Sequence, residues 1–211
     1  MSKTTASAIM LTICAVLAGC HSPIIDSHLT REQSLEGTKA PEDVREKMVL
    51  LDVLYYSFDR KLHQGQLVVH RDAQEDVQRI FRVILQERFP IDKCVPVVHY
   101  AWSDDASMAD NNTSGFNYRT IAATNCLSNH SFGRAIDINP VQNPALYADG
   151  SCAPQRATYN PEIRGTLAAP CAVVTAFTRL GWRWGGDYTS FKDYQHFEKK
   201  AGSVQNVIRN P

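Results

Sequence analysis

The chain has 211 residues, and its 22 lysines and arginines are balanced by 22 aspartates and glutamates. This length fits one domain with a sizeable hydrophobic core. Because proteins that bind nucleic acids carry a concentrated positive surface, the zero net charge argues against nucleic acid as a partner.

Residues 1–19 are predicted to form a signal peptide. Lys3 supplies positive charge, and the apolar run over 6–17 is too short to span a membrane. The ending Leu17-Ala18-Gly19-Cys20 resembles the lipobox of bacterial lipoproteins, in which cleavage precedes the cysteine and its thiol is lipidated. An ordinary secretory signal with an incidental cysteine is the alternative. We therefore expect an exported chain with a lipid anchor at Cys20.

Residues 20–40 mix small, polar and charged residues without a sustained period, which predicts a flexible tether. About twenty residues could extend roughly 70 Å. His21 follows the cysteine, where an aspartate would indicate inner-membrane retention by the lipoprotein rule. We therefore expect anchorage to the bacterial cell envelope at the outer membrane, facing the periplasm, with a folded domain over 41–211.

The first part of that domain is predicted to hold a hairpin and a helix. A short helical entry over 41–48 precedes strand-like segments over 49–58 and 66–70. Apolar residues then recur at helical spacing over 71–88, with a capping-box pattern at its start. The remaining predicted elements are strands over 95–102 and 116–120, a polar loop over 103–114, turns over 142–169, a helix over 170–180 and short strands within 182–198.

Four cysteines lie beyond the predicted anchor: Cys94, Cys126, Cys152 and Cys171. An even number in an oxidising compartment predicts two disulfides, although the sequence does not choose among the pairings. A zinc tetrathiolate is the less favoured alternative, because no C-x-x-C spacing is present.

His130 and Asp137 stand seven positions apart in a stretch that does not fit one helix. A helix would separate them by roughly 10 Å, too far for one zinc ion with ligands at about 2 Å. Gly133 is a turn signal, and the alternation over 135–139 is typical of a half-buried strand. Two strand-like pieces folded about Gly133 could bring both side chains to one point.

The best candidate for a third ligand is His196, in the segment Asp193-Tyr194-Gln195-His196-Phe197-Glu198. Two histidines and one carboxylate leave a zinc position open, which is the layout of a catalytic site. Asp193 is then free to act as a base, and Glu198 could hydrogen-bond a ligating histidine.

The pattern Ser128-x-His130-x-x-Gly133-x-Ala135-x-Asp137, followed by Asp193-x-x-His196, resembles the signature of the zinc peptidases of bacterial cell walls. That family includes D-alanyl-D-alanine carboxypeptidases of the vancomycin-resistance type, D-alanyl-D-alanine dipeptidases and L-alanyl-D-glutamate endopeptidases of phage lysins. The segments 111–119 and 181–187 are also similar, most closely to the endolysin-like branch. The resemblance implies that His130, Asp137 and His196 bind Zn²⁺ and that Asp193 is the catalytic carboxylate.

The resemblance also implies an α+β fold, with helices packed on a small antiparallel sheet that carries the zinc site, as in the Hedgehog signalling domain. The implied reaction is hydrolysis of an amide in peptidoglycan stem peptides, either at the terminal D-alanine or at the L-alanyl-D-glutamate bond. A lipoprotein that binds zinc or peptidoglycan without turnover is the alternative, which the presence of Asp193 and Arg119 disfavours.

Three further residues have open roles. Arg119 could stabilise an oxyanion or bind a substrate carboxylate. Ser128 could hydrogen-bond near the site or simply close a turn. Trp184 could line the substrate pocket or pack in the core.

Overall fold

The computed structural model describes residues 22–122 and 124–200. The predicted signal peptide and the predicted lipid attachment at Cys20 lie outside the described residues. Within the described ranges, no helix has the length and apolar character needed to cross a bilayer.

The described residues have the predicted α+β architecture. The strands are β1 (Ile24–Ile25), β2 (Met48–Tyr56), β3 (Leu62–His70), β4 (Ala135–Asp137), β5 (Ala145–Leu146), β6 (Cys152–Ala153), β7 (Arg183–Trp184), β8 (Lys192–Asp193) and β9 (His196–Glu198). The helices are α1 (Arg31–Ser34), α2 (Glu42–Arg45), α3 (Gln74–Gln86), α4 (Asp104–Ala109) and α5 (Ala172–Arg179). The strands form three small sheets in the orders β1-β3-β2, β4-β9-β7 and β6-β5-β8.

The hairpin of β2 and β3 is the longest regular element and confirms the prediction. The two strands pair antiparallel, from Met48 opposite His70 to Tyr56 opposite Leu62. The second strand begins four residues earlier than predicted. Its polar start gave no strand signal, but its backbone still pairs with the apolar end of β2.

Helix α3 packs against β2 and presents a stripe of apolar side chains at helical spacing. Val77, Ile80 and Ile84 are fully buried, and each such side chain contributes about 1.5–3 kcal/mol by its burial. The predicted capping box is wrong. The helix is preceded by a 3-10 turn, Arg71–Ala73, and the side chain of His70 accepts a hydrogen bond from the backbone N–H of Asp72.

The same core reaches the strands that carry the candidate site. Ile136, Ile138 and Phe197 are fully buried and pack in one cluster with the apolar residues of α3 and α5. Because alternate residues of a strand point to opposite faces, this burial directs Asp137 and His196 to the other face of their sheet. The core therefore fixes the orientation of two predicted zinc ligands.

Residues 22–40 differ from the predicted tether. Strand β1 pairs in parallel with β3, and a capping box formed by Thr30 and Gln33 starts α1. Leu35 and Ala40 are buried in a second apolar cluster. The pairing of β1 and the burial of these two apolar residues hold the segment to the domain, although its composition lacks a period.

Two other predicted strands are wrong. The segment over 95–102 contains a 3-10 turn, Val97–Tyr100, because Pro96 lacks the N–H that a strand ladder needs. The segment over 116–120 forms no regular strand, and its first residues are held by single backbone bonds to Val68 and His130. The predicted disulfides are not formed either, since Cys94, Cys126, Cys152 and Cys171 are all free thiols in the structure.

Candidate metal centre

His130, Asp137 and His196 converge, with their potential ligand atoms all within 4.8 Å of one another. The Nε2 atom of His130 lies 3.1 Å from Asp137 Oδ2 and 3.2 Å from His196 Nδ1. The remaining side, from His196 Nδ1 to Asp137 Oδ1, is 2.9 Å. A tetrahedral zinc ion with bonds of about 2.0–2.1 Å needs ligand atoms about 3.3 Å apart. The three side chains therefore fit one zinc ion.

His130 is placed by a tight turn rather than by the predicted strand. It lies in the 3-10 turn Asn129–Phe132, which Gly133 ends in the left-handed region with φ 61°. A Cβ atom on Gly133 would lie 2.5 Å from the backbone nitrogen of His70. Only glycine therefore allows the chain to reverse this close to β3, so the predicted turn at Gly133 is confirmed.

Asp137 and His196 are placed by strand pairing. They are direct partners in the antiparallel pair of β4 and β9, so their side chains emerge together on the same face. The other edge of β4 is fixed by Ser114, which exchanges backbone hydrogen bonds of 3.0 and 2.9 Å with Asp137. The backbone of Asp137 is thus hydrogen-bonded on both edges of β4, which fixes the position of its carboxylate.

Both imidazoles have partners on the side that faces away from the cluster. The Nδ1 atom of His130 lies 2.6 Å from the carbonyl oxygen of Gly115, which can only accept, so Nδ1 carries the proton and Nε2 faces the cluster. The Nε2 atom of His196 lies 3.5 Å from Glu198, which also accepts a hydrogen bond from Asn129. Such outer partners orient histidine ligands, as predicted for Glu198.

When no cation is present, His196 holds its proton strongly and Asp137 stays ionised. Burial alone would raise the pKa of Asp137 and lower that of His196, but their contacts outweigh it. The two imidazoles lower the pKa of Asp137, and the carboxylates of Asp137 and Glu198 raise the pKa of His196 to about 10. The hydrogen bond to His196 lowers the pKa of Glu198 to about 2. A divalent cation would replace the extra proton on His196, because metal ligands must be deprotonated.

Asp193, which lies on β8, is close to the three candidate ligands. Burial raises its pKa to about 6, while His196 opposes and Asp137 reinforces this shift. Its Oδ1 atom is buried and has no hydrogen-bond partner among the described residues. A Cβ atom on Gly185 would lie 2.3 Å from the carbonyl oxygen of Asp193, so the glycine allows this strand to approach.

Arg119 faces a partner that sequence reasoning missed. Its guanidinium lies 2.8 Å from the carboxylate of Asp104, the first residue of α4. Burial raises the pKa of Asp104, Arg119 opposes this, and Asp137 and His130 also contribute, which places Asp104 near the cluster. The polar composition of 103–114 predicted only a loop, so the single available signal was the serine at 103 that caps this helix.

Ser128 and Trp184 contact residues next to the candidate ligands and Asp193, and they do not belong to the ligand cluster. The hydroxyl of Ser128 accepts a hydrogen bond of 3.3 Å from the backbone of His130 and caps its turn. The indole of Trp184 is 4% exposed, packs with Phe197 and donates to the carbonyl of Tyr194. Trp184 therefore lies in the core, next to the segment that carries Asp193, rather than along a pocket wall.

Three aromatic side chains, Tyr147, Phe191 and Tyr188, form a group near the cluster. Tyr147 belongs to the region over 142–169 in which turns were predicted. Tyr147 is 43% exposed and stacks on Phe191, which contacts Tyr188 edge-on. Burial raises the pKa of Tyr147, and the next contributions come from Asp193 and Asp104. The phenol is thus close to both carboxylates.

Comparison with known proteins gives one finding. Residues 122–199 match the family model described as D-alanyl-D-alanine carboxypeptidase, whereas no curated protein and no solved structure gives a match. The matched segment covers well under half of the chain. It includes His130, Asp137, Asp193 and His196, whereas Arg119 lies before it. The chain is therefore similar to this peptidase family over the segment that carries the candidate ligand cluster.

Proposed function

We propose that the chain is a zinc peptidase that hydrolyses an amide bond in peptidoglycan stem peptides. The observation that carries this proposal is the convergence of His130, Asp137 and His196 at distances that suit one zinc ion, with Asp193 beside them. The family match over 122–199 supports the same class of enzyme.

The three converging side chains would hold the zinc ion through His130 Nε2, one carboxylate oxygen of Asp137 and His196 Nδ1. When bound, zinc supplies Lewis acidity and makes water acidic enough to ionise near neutral pH. Gly115 and Glu198 keep the outer nitrogens of the two imidazoles engaged, so the inner nitrogens stay directed at the cluster.

Asp193 carries the proton in this proposal. Its Oδ1 atom has no partner among the described residues, so no protein group competes for it. Burial raises the pKa of Asp193 to about 6 in the metal-free chain, and a cation nearby would lower it and keep the carboxylate ionised. An ionised carboxylate there can accept a proton from attacking water and deliver it to the leaving amine. Arg119 adds positive charge near the cluster and could bind either an oxyanion or a carboxylate of the stem peptide.

The proposed setting is the periplasmic face of the outer membrane, with the chain exported and anchored by lipid at Cys20. The lipobox-like ending of residues 17–20 supports this setting. Because β1 begins at Ile24, only a few residues would separate the anchor from the folded domain. We therefore expect the domain to work close to the membrane surface rather than at the end of a long tether.

The test is digestion of purified peptidoglycan by the mature chain loaded with zinc, with released fragments identified by mass spectrometry. Loss of the terminal D-alanine would identify a carboxypeptidase, and cleavage beside the sugar-linked alanine an endopeptidase. Asp193→Asn should lower turnover by about 10²–10⁴-fold while its zinc content stays unchanged. A chelator should abolish turnover, and added zinc should restore it.

Full turnover by Asp193→Asn would remove the proposed proton carrier. Tight binding of stem peptides with no fragment released by the zinc-loaded chain would instead favour a binding lipoprotein.

A further inference from the structure

Arg119 is held in place before any substrate arrives. Its backbone N–H donates to the hydroxyl of Ser131 at 2.9 Å, and that hydroxyl donates to the carbonyl of Arg119 at 2.7 Å. Ser131 directly follows His130, so the backbone of Arg119 is tied to the turn that carries a candidate ligand. The guanidinium is tied separately, through its 2.8 Å contact with Asp104.

Asp104 receives two side chains from the same segment. Besides Arg119, the amide of Asn117 donates to its carboxylate at 3.3 Å. The side chains of Asp104 and Arg119 are only 27% and 28% exposed, so this pair is shielded from solvent more than an ordinary surface ion pair. Near the other end of α4, the sulfur of Met108 accepts a hydrogen bond of 3.7 Å from the side-chain amide of Gln195. Gln195 directly precedes His196. The helix that carries Asp104 therefore contacts the segment that carries the third ligand.

Two polar atoms beside Asp104 are left without partners. Arg119 Nε and Asn117 Oδ1 are buried and make no hydrogen bond to any described residue. A buried polar atom without a partner is unfavourable, because it has lost its hydrogen bonds to water. Arg119 Nε is a donor that a carbonyl or carboxylate oxygen could satisfy, and Asn117 Oδ1 is an acceptor that a peptide N–H could satisfy.

We propose that Asp104 is a positioning residue that fixes the Arg119 guanidinium so that its remaining N–H donors meet the bound stem peptide next to Asp193. This inference rests on the proposed function and adds a residue outside the matched segment. An arginine side chain held in advance loses less conformational freedom when the substrate binds. The ion pair thus supplies orientation, and it does not itself contact reacting atoms.

The chain offers a matched control in Asp105, the next residue of the same helix turn, whose side chain is exposed. Asp104→Asn should lower kcat/KM on stem peptides by roughly tenfold or more, with zinc content unchanged, whereas Asp105→Asn should stay within about twofold. Both variants remove the same charge from the first turn of α4. A general electrostatic or stability effect would therefore change kcat/KM equally in the two variants.

A double-mutant cycle tests the coupling itself. If Asp104 acts through Arg119, Asp104→Asn combined with Arg119→Ala should be no more than about twofold worse than Arg119→Ala alone. Losses that multiply, or equal kinetics in Asp104→Asn and Asp105→Asn, would overturn the assignment.

A second readout does not depend on turnover. In the NMR spectrum of the zinc-loaded chain, the Nε–H signal of Arg119, identified by its loss in Arg119→Ala, should shift strongly in Asp104→Asn and little in Asp105→Asn. An unmoved signal in Asp104→Asn would refute the positioning role. Failure of the wild-type chain to release fragments would instead refute the proposed function, so the two failures are distinguishable.

Discussion

The hairpin-and-helix layer and the metal-site region of this domain are built in different ways. Strands β2 and β3 have nine residues each and are covered by a helix of thirteen residues with an apolar stripe. The strands that carry Asp137, Asp193 and His196 have only two or three residues. Long regular pairing maintains the first region, whereas the second combines very short strand pairs and the shared core with hydrogen bonds of individual residues.

Buried amides illustrate how the second region is held. Asn139 is fully buried and donates to the carbonyls of Pro90 and Gly165 at 2.7 and 3.1 Å. Asn143, also fully buried, donates to the carbonyl of Ile138 and accepts from the backbone of Leu167. In this region, side-chain hydrogen bonds of this kind hold backbone segments that long strands would otherwise hold. The fold of the site region therefore depends on the identity of single residues. We therefore expect core substitutions to lower stability more than they change the site geometry.

Gly133→Ala should give the largest effect, because it disrupts the turn that places His130. The left-handed conformation costs about 1–2 kcal/mol for alanine, and the new Cβ would clash with the backbone of His70. We expect a loss of about 3–5 kcal/mol in unfolding free energy and a weakening of zinc affinity of about 100-fold. Gly150→Ala is the matched control, with φ 82° but open space around the new atom. Equal effects at the two glycines, measured by urea unfolding and zinc titration, would contradict this account.

Ile80→Ala tests the other region. It removes a fully buried side chain from α3 and should lower the unfolding free energy by about 2–5 kcal/mol. Ile80 shares a core cluster with Ile136 and Phe197, but strand pairing and backbone bonds to Ser114 also hold the ligands. The zinc affinity of the remaining folded protein should therefore change less than about threefold. Urea unfolding and zinc titration of the same variant provide the comparison. A large loss of zinc affinity would show that the two regions are not separable.

The pH dependence of the metal-free chain depends on Asp193. Its folded pKa of about 6 lies above the ordinary value of 3.8, so its favourable contribution is complete below pH 3.8 and is lost as the pH rises through 6. Asp193→Asn should therefore gain about 1–2 kcal/mol relative to the wild type between pH 5 and pH 8. Urea unfolding with a chelator present measures this. A difference between the two proteins that is constant with pH would refute the raised pKa.

Ser128→Ala should have the smallest effect. The hydroxyl caps a short turn, so its removal should cost about 1 kcal/mol of unfolding free energy. Since its bond goes to the backbone of His130, we expect turnover to fall no more than a few fold. Assays of stem-peptide cleavage would reveal a direct role if the loss exceeded 100-fold.

The same contrast explains what could be predicted from sequence. The hairpin and α3 have strong periodicity, because burial of alternate or helically spaced side chains shapes both their structure and their composition. The strand predicted over 116–120 failed because its alternation reflects contacts of single residues, such as the burial of Phe116 in the second apolar cluster.

The candidate ligands were found through motif spacing, since zinc chemistry limits the residue types that can serve. Asp104 could not be found in this way. Its role depends on a contact with Arg119, fifteen positions away, and a polar loop composition does not encode that contact. The packing of residues 22–40 was missed for a similar reason, because Leu35 and Ala40 are isolated apolar residues without a period.

The most direct test of the central claim is the zinc content of the purified mature chain, compared with that of His196→Ala after both are stripped and reloaded with zinc. We expect a single tightly bound zinc ion in the wild type and loss of tight binding in the variant, because three protein ligands are reduced to two. A wild type that retains no zinc, or a variant that retains it equally well, would contradict the account.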